Sequence, residues 1–177
     1  MGHQDEITHM LRTELEALQL ERLKKSVVYC YEKIPFYKEN FDAVGFDPYA
    51  LRSFEDLRNE HFKTKQDMRD AYPYGLFALD KSEVKEIHMS SGTTGVATVS
   101  GYTDNDIKIW GDCFARGIGY GGGDENDVCH VCYGYGLFTG GLGAHYGGIN
   151  CGCMTIPMSA GNTKRQIKVL QTMGSSI

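Results

Sequence analysis

Residues 128–163 contain no aspartate, glutamate, lysine or arginine. A charge-free run of this length suits a membrane span only when it is also rich in large apolar side chains. This one is dense in glycine and interrupted by His130, Asn150 and Pro157, so it reads as a buried part of a soluble domain and not as a membrane helix. An excess of positive charge is missing too: 18 Lys and Arg stand against 23 Asp and Glu, a formal net charge of -5. That balance argues against a nucleic-acid binder, whose affinity depends on clustered lysine and arginine. The leading residues, Met1-Gly2-His3-Gln4-Asp5-Glu6, lack the basic and apolar regions of a secretory signal, which favours the cytoplasm. No internal repeat or low-complexity segment is present. With 41% hydrophobic and 23% charged residues, the 177-residue chain has a globular composition and can bury one sizeable core, or part of a larger domain.

Six cysteines are present, and Cys129-x-x-Cys132 with Cys151-x-Cys153 raise the question of zinc. Both pairs lie in short apolar runs that look like strands. A spacing of three on a strand puts Cys129 and Cys132 on opposite faces, where they cannot chelate one ion together. Buried free thiols, packed as small hydrophobes, are therefore the expectation, with no metal site.

Helical texture dominates the first part of the chain. Ile7, Met10, Leu11, Leu15, Leu18, Leu23 and Val27 recur at mostly three- and four-residue spacing among charges, which predicts a helix over 5–31 that ends before Pro35. Ser53 with Asp56, and Thr64 with Asp67, are capping-box pairs that open two short helices, and Tyr72-Pro73-Tyr74-Gly75 closes the region as a turn. Residues 1–82 are thus expected to form a helical leader packed on a larger domain, of which 83–177 are the first, incomplete part.

From residue 83 the pattern changes. Strands at 84–89 and 97–102 flank a tight loop at 90–95. Thr103 with Asp106 starts a helix expected to bury Ile107, Trp110, Phe114 and Ile118. A glycine-rich link at 121–127 leads to a strand at 128–133, a helical stretch from Leu137, a strand at 154–156 and a helix over 164–173 capped by Thr163 with Gln166. Strand, helix and strand in alternation are the signature of βαβ units in a parallel sheet. The expected fold class is therefore α/β: a helical leader followed by the start of a mixed or parallel βαβ sheet. Gly174-Ser175-Ser176-Ile177 reads as a helix exit and the first step into a further strand, so the natural protein is expected to continue.

Ser90-Ser91-Gly92-Thr93-Thr94-Gly95 carries the clearest chemistry. Two glycines let the backbone wrap closely around a ligand, and four hydroxyls can donate to phosphate oxygens, which suits a triphosphate. An ordinary turn between strands has a similar composition. The loop is not of the Walker A kind, because no Lys-Ser or Lys-Thr follows its second glycine and the next element is a strand.

This hexapeptide is similar to the phosphate-loop signature of the adenylate-forming superfamily of acyl-CoA ligases, luciferases and peptide-synthetase adenylation domains. Its context narrows the resemblance. Tyr72-Pro73-Tyr74-Gly75-Leu76-Phe77-Ala78, Gly101-Tyr102-Thr103, Gly161-Asn162-Thr163 and the block from Tyr133-Gly134-Tyr135-Gly136-Leu137-Phe138-Thr139 to Gly143-Ala144-His145-Tyr146-Gly147 resemble the phenylacetate-coenzyme A ligase branch, as does Glu21-Arg22-Leu23-Lys24-Lys25. The resemblance runs from the region of Leu20 to the end of the chain. It implies a cytoplasmic acid–thiol ligase in which an aryl carboxylate attacks the α-phosphate of ATP, carried as its Mg2+ complex, and coenzyme A then displaces AMP. It further implies that Ser90, Ser91, Gly92, Thr93, Thr94 and Gly95 grip the β- and γ-phosphates, and that Tyr133, Phe138 and Ala144 form walls of the aryl pocket. A homodimer is left open.

Other readings stay beside this one. Phe138 and Ala144 also suit plain core packing, His145 reads as a satisfied buried histidine, His88 and His130 as structural strand residues, and Trp110 as core. The same scaffold also suits another aryl acid such as indoleacetate, the adenylylation of a deazaflavin cofactor, or a non-catalytic phosphate-binding module. Val96-Ala97 stands where many members of the branch carry Lys-Pro, which removes a cation that meets the phosphates. The acids and the lysine that complete the family's site are expected beyond Ile177, so the 177 residues alone are expected not to make acyl-CoA.

Overall fold

The structure is a computed structural model that describes residues 6–58, 63–90, 95 and 97–177. Two compact units make it up, one bounded by Glu6–Glu83 with Gly92–Ser100, the other by Val84–Ser91 with Gly101–Ile177.

The first unit is helical. A 3-10 turn at Glu6–His9 precedes α1, Arg12–Lys33, so the regular helix starts later than its apolar spacing suggests. Leu11 is extended and its N–H donates to the Glu14 carboxylate at 3.1 Å, which sets the start. Ile34 is extended because a proline follows it, and Pro35 then opens α2, Pro35–Val44. Pro35, expected only to end the first helix, thus also begins a second, because proline suits the first helical position. Gly45, at φ 70°, closes it. α2 packs on α1 through Phe41, whose ring stacks on Tyr31 at 6.1 Å, and Val27, Ile34, Phe41 and Leu51 are buried here. Both capping-box pairs form: Ser53 N–H donates to Asp56 at 2.9 Å ahead of a 3-10 turn, Phe54–Leu57, and Thr64 N–H to Asp67 at 2.6 Å ahead of α3, Lys65–Asp70.

The sheet elements belong to the second unit, apart from Val99 and Ser100 at the start of β2. β1, Glu86–Met89, pairs with β2, Val99–Tyr102. α4, Asp104–Tyr120, starts at the Thr103–Asp106 box, with Thr103 N–H donating to Asp106 at 2.9 Å. β3, Val128–His130, and β4, Met154–Ile156, are parallel neighbours joined by α5, Thr139–Asn150, the βαβ unit that the alternation predicted. α6, Thr163–Met173, follows. Its cap is Asn162, whose side chain accepts from Arg165 N–H at 3.2 Å, one residue before the predicted Thr163. Gln166 instead turns toward the sheet and meets His130 Nε2 at 2.7 Å. Beyond α6 the chain runs along the free edge of β3: Ile177 N–H donates to Val128 O at 3.3 Å and His130 N–H donates to Ile177 O at 2.8 Å. Those two bonds are the ladder of a parallel pair. β3 therefore lies between β4 and residues 176–177.

Packing corrects the expectation for α4. Gly111 and Ala115 are its buried residues, Ile107, Trp110 and Ile118 are half-buried, and Phe114 is 37% exposed. The reason is the closeness of α5. A Cβ on Gly143 would lie 2.5 Å from the Phe114 ring, and one on Gly147 would overlap the Phe114 Cβ. On another face of α5, a Cβ on Gly148 would lie 2.6 Å from Thr155 Oγ1 and 3.1 Å from Cys129 Sγ. The glycine-rich helix is thus held against β3 and β4 and against α4 at once.

Ala115, Cys129, Val131, Cys151 and Cys153 form the core of this unit. The cysteines are free thiols, and burial beside Cys151 pushes Cys153 up to about 12. Cys132 departs from the expected burial: β3 ends at His130, which leaves Cys132 exposed outside the strand, and Cys113 is exposed as well. Among the described residues, no helix is long and apolar enough to cross a membrane.

Candidate acyl and nucleotide site

The topology points to one end of β3. From β3 the chain crosses through α5 to β4 on one edge, then returns through α6 to the opposite edge. Connections that leave a strand in opposite directions open a crevice at the carboxyl ends of the strands, which is where open α/β sheets bind ligands. His130 closes β3, and Tyr133 follows three residues later at that end.

Tyr133 and Phe138 come together there. Their ring centroids are 6.5 Å apart at an interplanar angle of 31°, and they are 54% and 53% exposed. Two large rings left this open offer a face to an apolar ligand. Gly140 makes the arrangement possible, because a Cβ there would lie 2.6 Å from the Tyr133 ring. Ala144 sits one turn beyond Gly140 on the same side of α5 and is half-buried against the core cluster. The structure therefore joins Tyr133 with Phe138 and sets Ala144 between their side of α5 and the core.

His145 Nδ1 lies 3.3 Å from the Tyr135 hydroxyl. Burial raises the Tyr135 phenol above its ordinary range. His130 is buried and held by Gln166 at Nε2 and by Ser175 Oγ, 3.3 Å from Nδ1, which suits the structural part read for it.

Ser90 follows the end of β1, and Gly95 has φ 124°, a backbone conformation open to glycine and strained for other residues. Ser91, Gly92, Thr93 and Thr94, to which the sequence assigns the phosphates, lie outside the described residues, as does Val96.

Sequence reasoning missed Glu86 and Tyr146. The Glu86 carboxylate meets His88 Nε2 at 2.9 Å through one oxygen and accepts from the Tyr146 hydroxyl at 2.9 Å through the other. Burial, followed by the Glu86 hydrogen bond, raises the Tyr146 phenol. Glu86-x-His88 on one strand face was the available signal; Tyr146, 60 residues away, gave none.

The fold of these residues is similar to part of a solved CoA ligase. A 2-hydroxyisobutyryl-CoA ligase solved in complex with 2-HIB-AMP and CoA in the thioesterification state superposes with a TM-score of 0.84 at 30% identity, over 94% of this chain and 37% of that one. No protein-family profile matches the chain. Curated relatives are much nearer in sequence. The phenylacetate-coenzyme A ligase of Aromatoleum evansii is 50% identical over 170 residues, 96% of this chain and 39% of that protein. That of Escherichia coli is 50% identical over 158 residues, and that of Thermus thermophilus 47% over 171, covering 36% and 38% of their lengths. This chain is a homologue of the phenylacetate-coenzyme A ligases, and it spans less than two fifths of the curated relatives it matches.

Proposed function

We propose that the protein carrying this chain activates phenylacetate with ATP and transfers the acyl group to coenzyme A in the cytoplasm. In the first step a carboxylate oxygen attacks the α-phosphorus, the bond to the bridging oxygen breaks and pyrophosphate leaves. In the second, the coenzyme A thiolate attacks the acyl carbon and AMP leaves with the bonding pair. Positioning and charge stabilisation account for most of the rate in such transfers. The observation that carries this reading is the open Tyr133–Phe138 pair at the carboxyl end of β3, in a chain half identical to phenylacetate-coenzyme A ligases.

The parts divide as follows. Residues 1–82 form the helical leader, and 83–177 contribute the opening of the ATP- and acyl-binding α/β domain. Ser90, Ser91, Gly92, Thr93, Thr94 and Gly95 hold the β- and γ-phosphates. Tyr133 and Phe138 line the aryl pocket with Ala144 as its floor, the small residue that leaves room for a ring. Among the described residues, no group of three His, Cys, Asp or Glu side chains is placed to hold a metal ion.

Acid-dependent ATP–pyrophosphate exchange by the full-length protein tests the reading. Phenylacetate supports exchange at a kcat/KM above those of indoleacetate, benzoate and acetate. Exchange with none of these acids, or a preference for another of them, overturns the assignment.

Ala144→Phe in the full-length protein raises the KM for phenylacetate far more than that for ATP. Overpacking by itself typically costs about 1 to 3 kcal/mol, so the melting temperature is measured alongside. Equal effects on both substrates identify Ala144 as core only.

A further inference from the structure

His88 is 2% exposed, and both of its ring nitrogens face oxygen. Nδ1 lies 3.2 Å from the Leu137 carbonyl, and Nε2 lies 2.9 Å from Glu86 Oε1. Nδ1 meets a carbonyl, which only accepts, so it carries a proton and donates it there. The next backbone N–H, that of Met89, donates to the same Leu137 oxygen at 2.8 Å. Tyr102 and Trp110 close over the imidazole edge-on, each with its ring centre 5.0 Å away, and Tyr146 fixes the other Glu86 oxygen.

Two segments are joined by this arrangement. His88 and Met89 are the last residues of β1, which leads directly into Ser90. Leu137 lies between Tyr133 and Phe138. The reading of Ser90 as the start of the phosphate loop and of Tyr133 and Phe138 as aryl walls belongs to the proposed function, and the inference rests on it. A simple packing role needs only the ring's volume. A buried imidazole with an acidic partner and a carbonyl 49 residues away supplies direction as well.

We propose that His88 is a positioning residue for adenylation: through its bond to the Leu137 carbonyl, oriented by Glu86, it sets the register between the strand that delivers the phosphate loop and the segment that carries the aryl walls. It touches neither substrate. In-line attack requires the acid's oxygen to meet the α-phosphorus within a narrow geometry, and a displacement of about 1 Å costs on the order of a hundredfold in rate. Each substrate still finds its own contacts when the register loosens.

The test is steady-state ATP–pyrophosphate exchange by the full-length protein with His88→Phe, His88→Asn and His88→Gln, each normalised to the folded fraction. Phe keeps a planar ring and removes both bonds; kcat falls by about ten- to a hundredfold while the KM values for phenylacetate and ATP each stay within about threefold. Asn places an amide donor near the Nδ1 position and recovers most of that loss, whereas Gln, reaching toward Glu86 instead, recovers less. Should His88→Phe fail to fold, the Asn and Gln pair still reads the direction of the effect: equal kcat values for the two overturn the proposal. Parental kcat in His88→Phe, or a raised KM for phenylacetate at unchanged kcat, overturns it as well, the latter making His88 part of the pocket wall. A parent that shows no phenylacetate-dependent exchange overturns the proposed function and this inference together, while an active parent with an indifferent His88 overturns the inference alone.

Discussion

Replacing Thr93 or Thr94 with alanine in the full-length protein lowers phenylacetate-dependent ATP–pyrophosphate exchange by roughly ten- to a thousandfold, the range that follows removal of one preorganised donor to developing charge. Four hydroxyl residues stand within six positions at 90–95, where a turn needs only one or two. The chain also lacks a lysine at position 96, so under the proposed function more of the phosphate contact falls to the hydroxyls and backbone N–H groups. Melting temperatures without nucleotide are measured for both variants, so that a loss of folding is told apart from a loss of phosphate contact. Melts with ATP separate the roles further, because a variant that no longer holds the phosphates loses the shift produced by nucleotide binding. Exchange at the parental rate in both variants identifies the loop as a turn and removes the phosphate role from it.

A comparably large effect, on stability, is expected at the contact between α4 and α5. Gly147 is buried, and a Cβ there would overlap the Phe114 Cβ and lie 3.1 Å from the Phe114 carbonyl carbon and 3.2 Å from Ala115 N. Those are atoms at the root of α4, not the end of a flexible side chain. Gly147→Val therefore pushes two helices apart, at a cost in the upper part of the roughly 1 to 3 kcal/mol typical of overpacking, or beyond it. Gly117→Ala is the matching control. A Cβ on Gly117 meets nothing within 4 Å, so this exchange inside α4 raises stability by up to about 1 kcal/mol through helix propensity. Equilibrium denaturation of both variants checks the pair, and equal effects at the two glycines would show that α4 and α5 do not touch as described.

Local signals were legible in the sequence because their physics is local. A side-chain oxygen three residues from an N–H fixes a helix start, and the pairs at Ser53, Thr64 and Thr103 all form as read. The strand at 154–156 and the alternation after Asp127 were legible for the same reason, since apolar runs bounded by glycine and proline define strands without reference to distant residues. Signals with two meanings were misread. Pro35 ends one helix and begins the next, and Asn162, at φ 47°, caps α6 from a left-handed conformation that the Thr163–Gln166 spacing concealed.

The sequence by itself determined the class of protein: the motifs at 90–95 and 133–147 carry the resemblance to phenylacetate-coenzyme A ligases, and comparison with the curated relatives bears it out. Only the tertiary structure decided which residues meet. That Phe114 lies on Gly143 and Gly147, that residues 176–177 pair with β3 opposite β4, and that Glu86 joins His88 to Tyr146 are consequences of packing between elements far apart in the chain. Periodicity marks which face of an element is apolar, but the partner that covers this face is chosen by fit over the whole fold, and no local spacing records that choice.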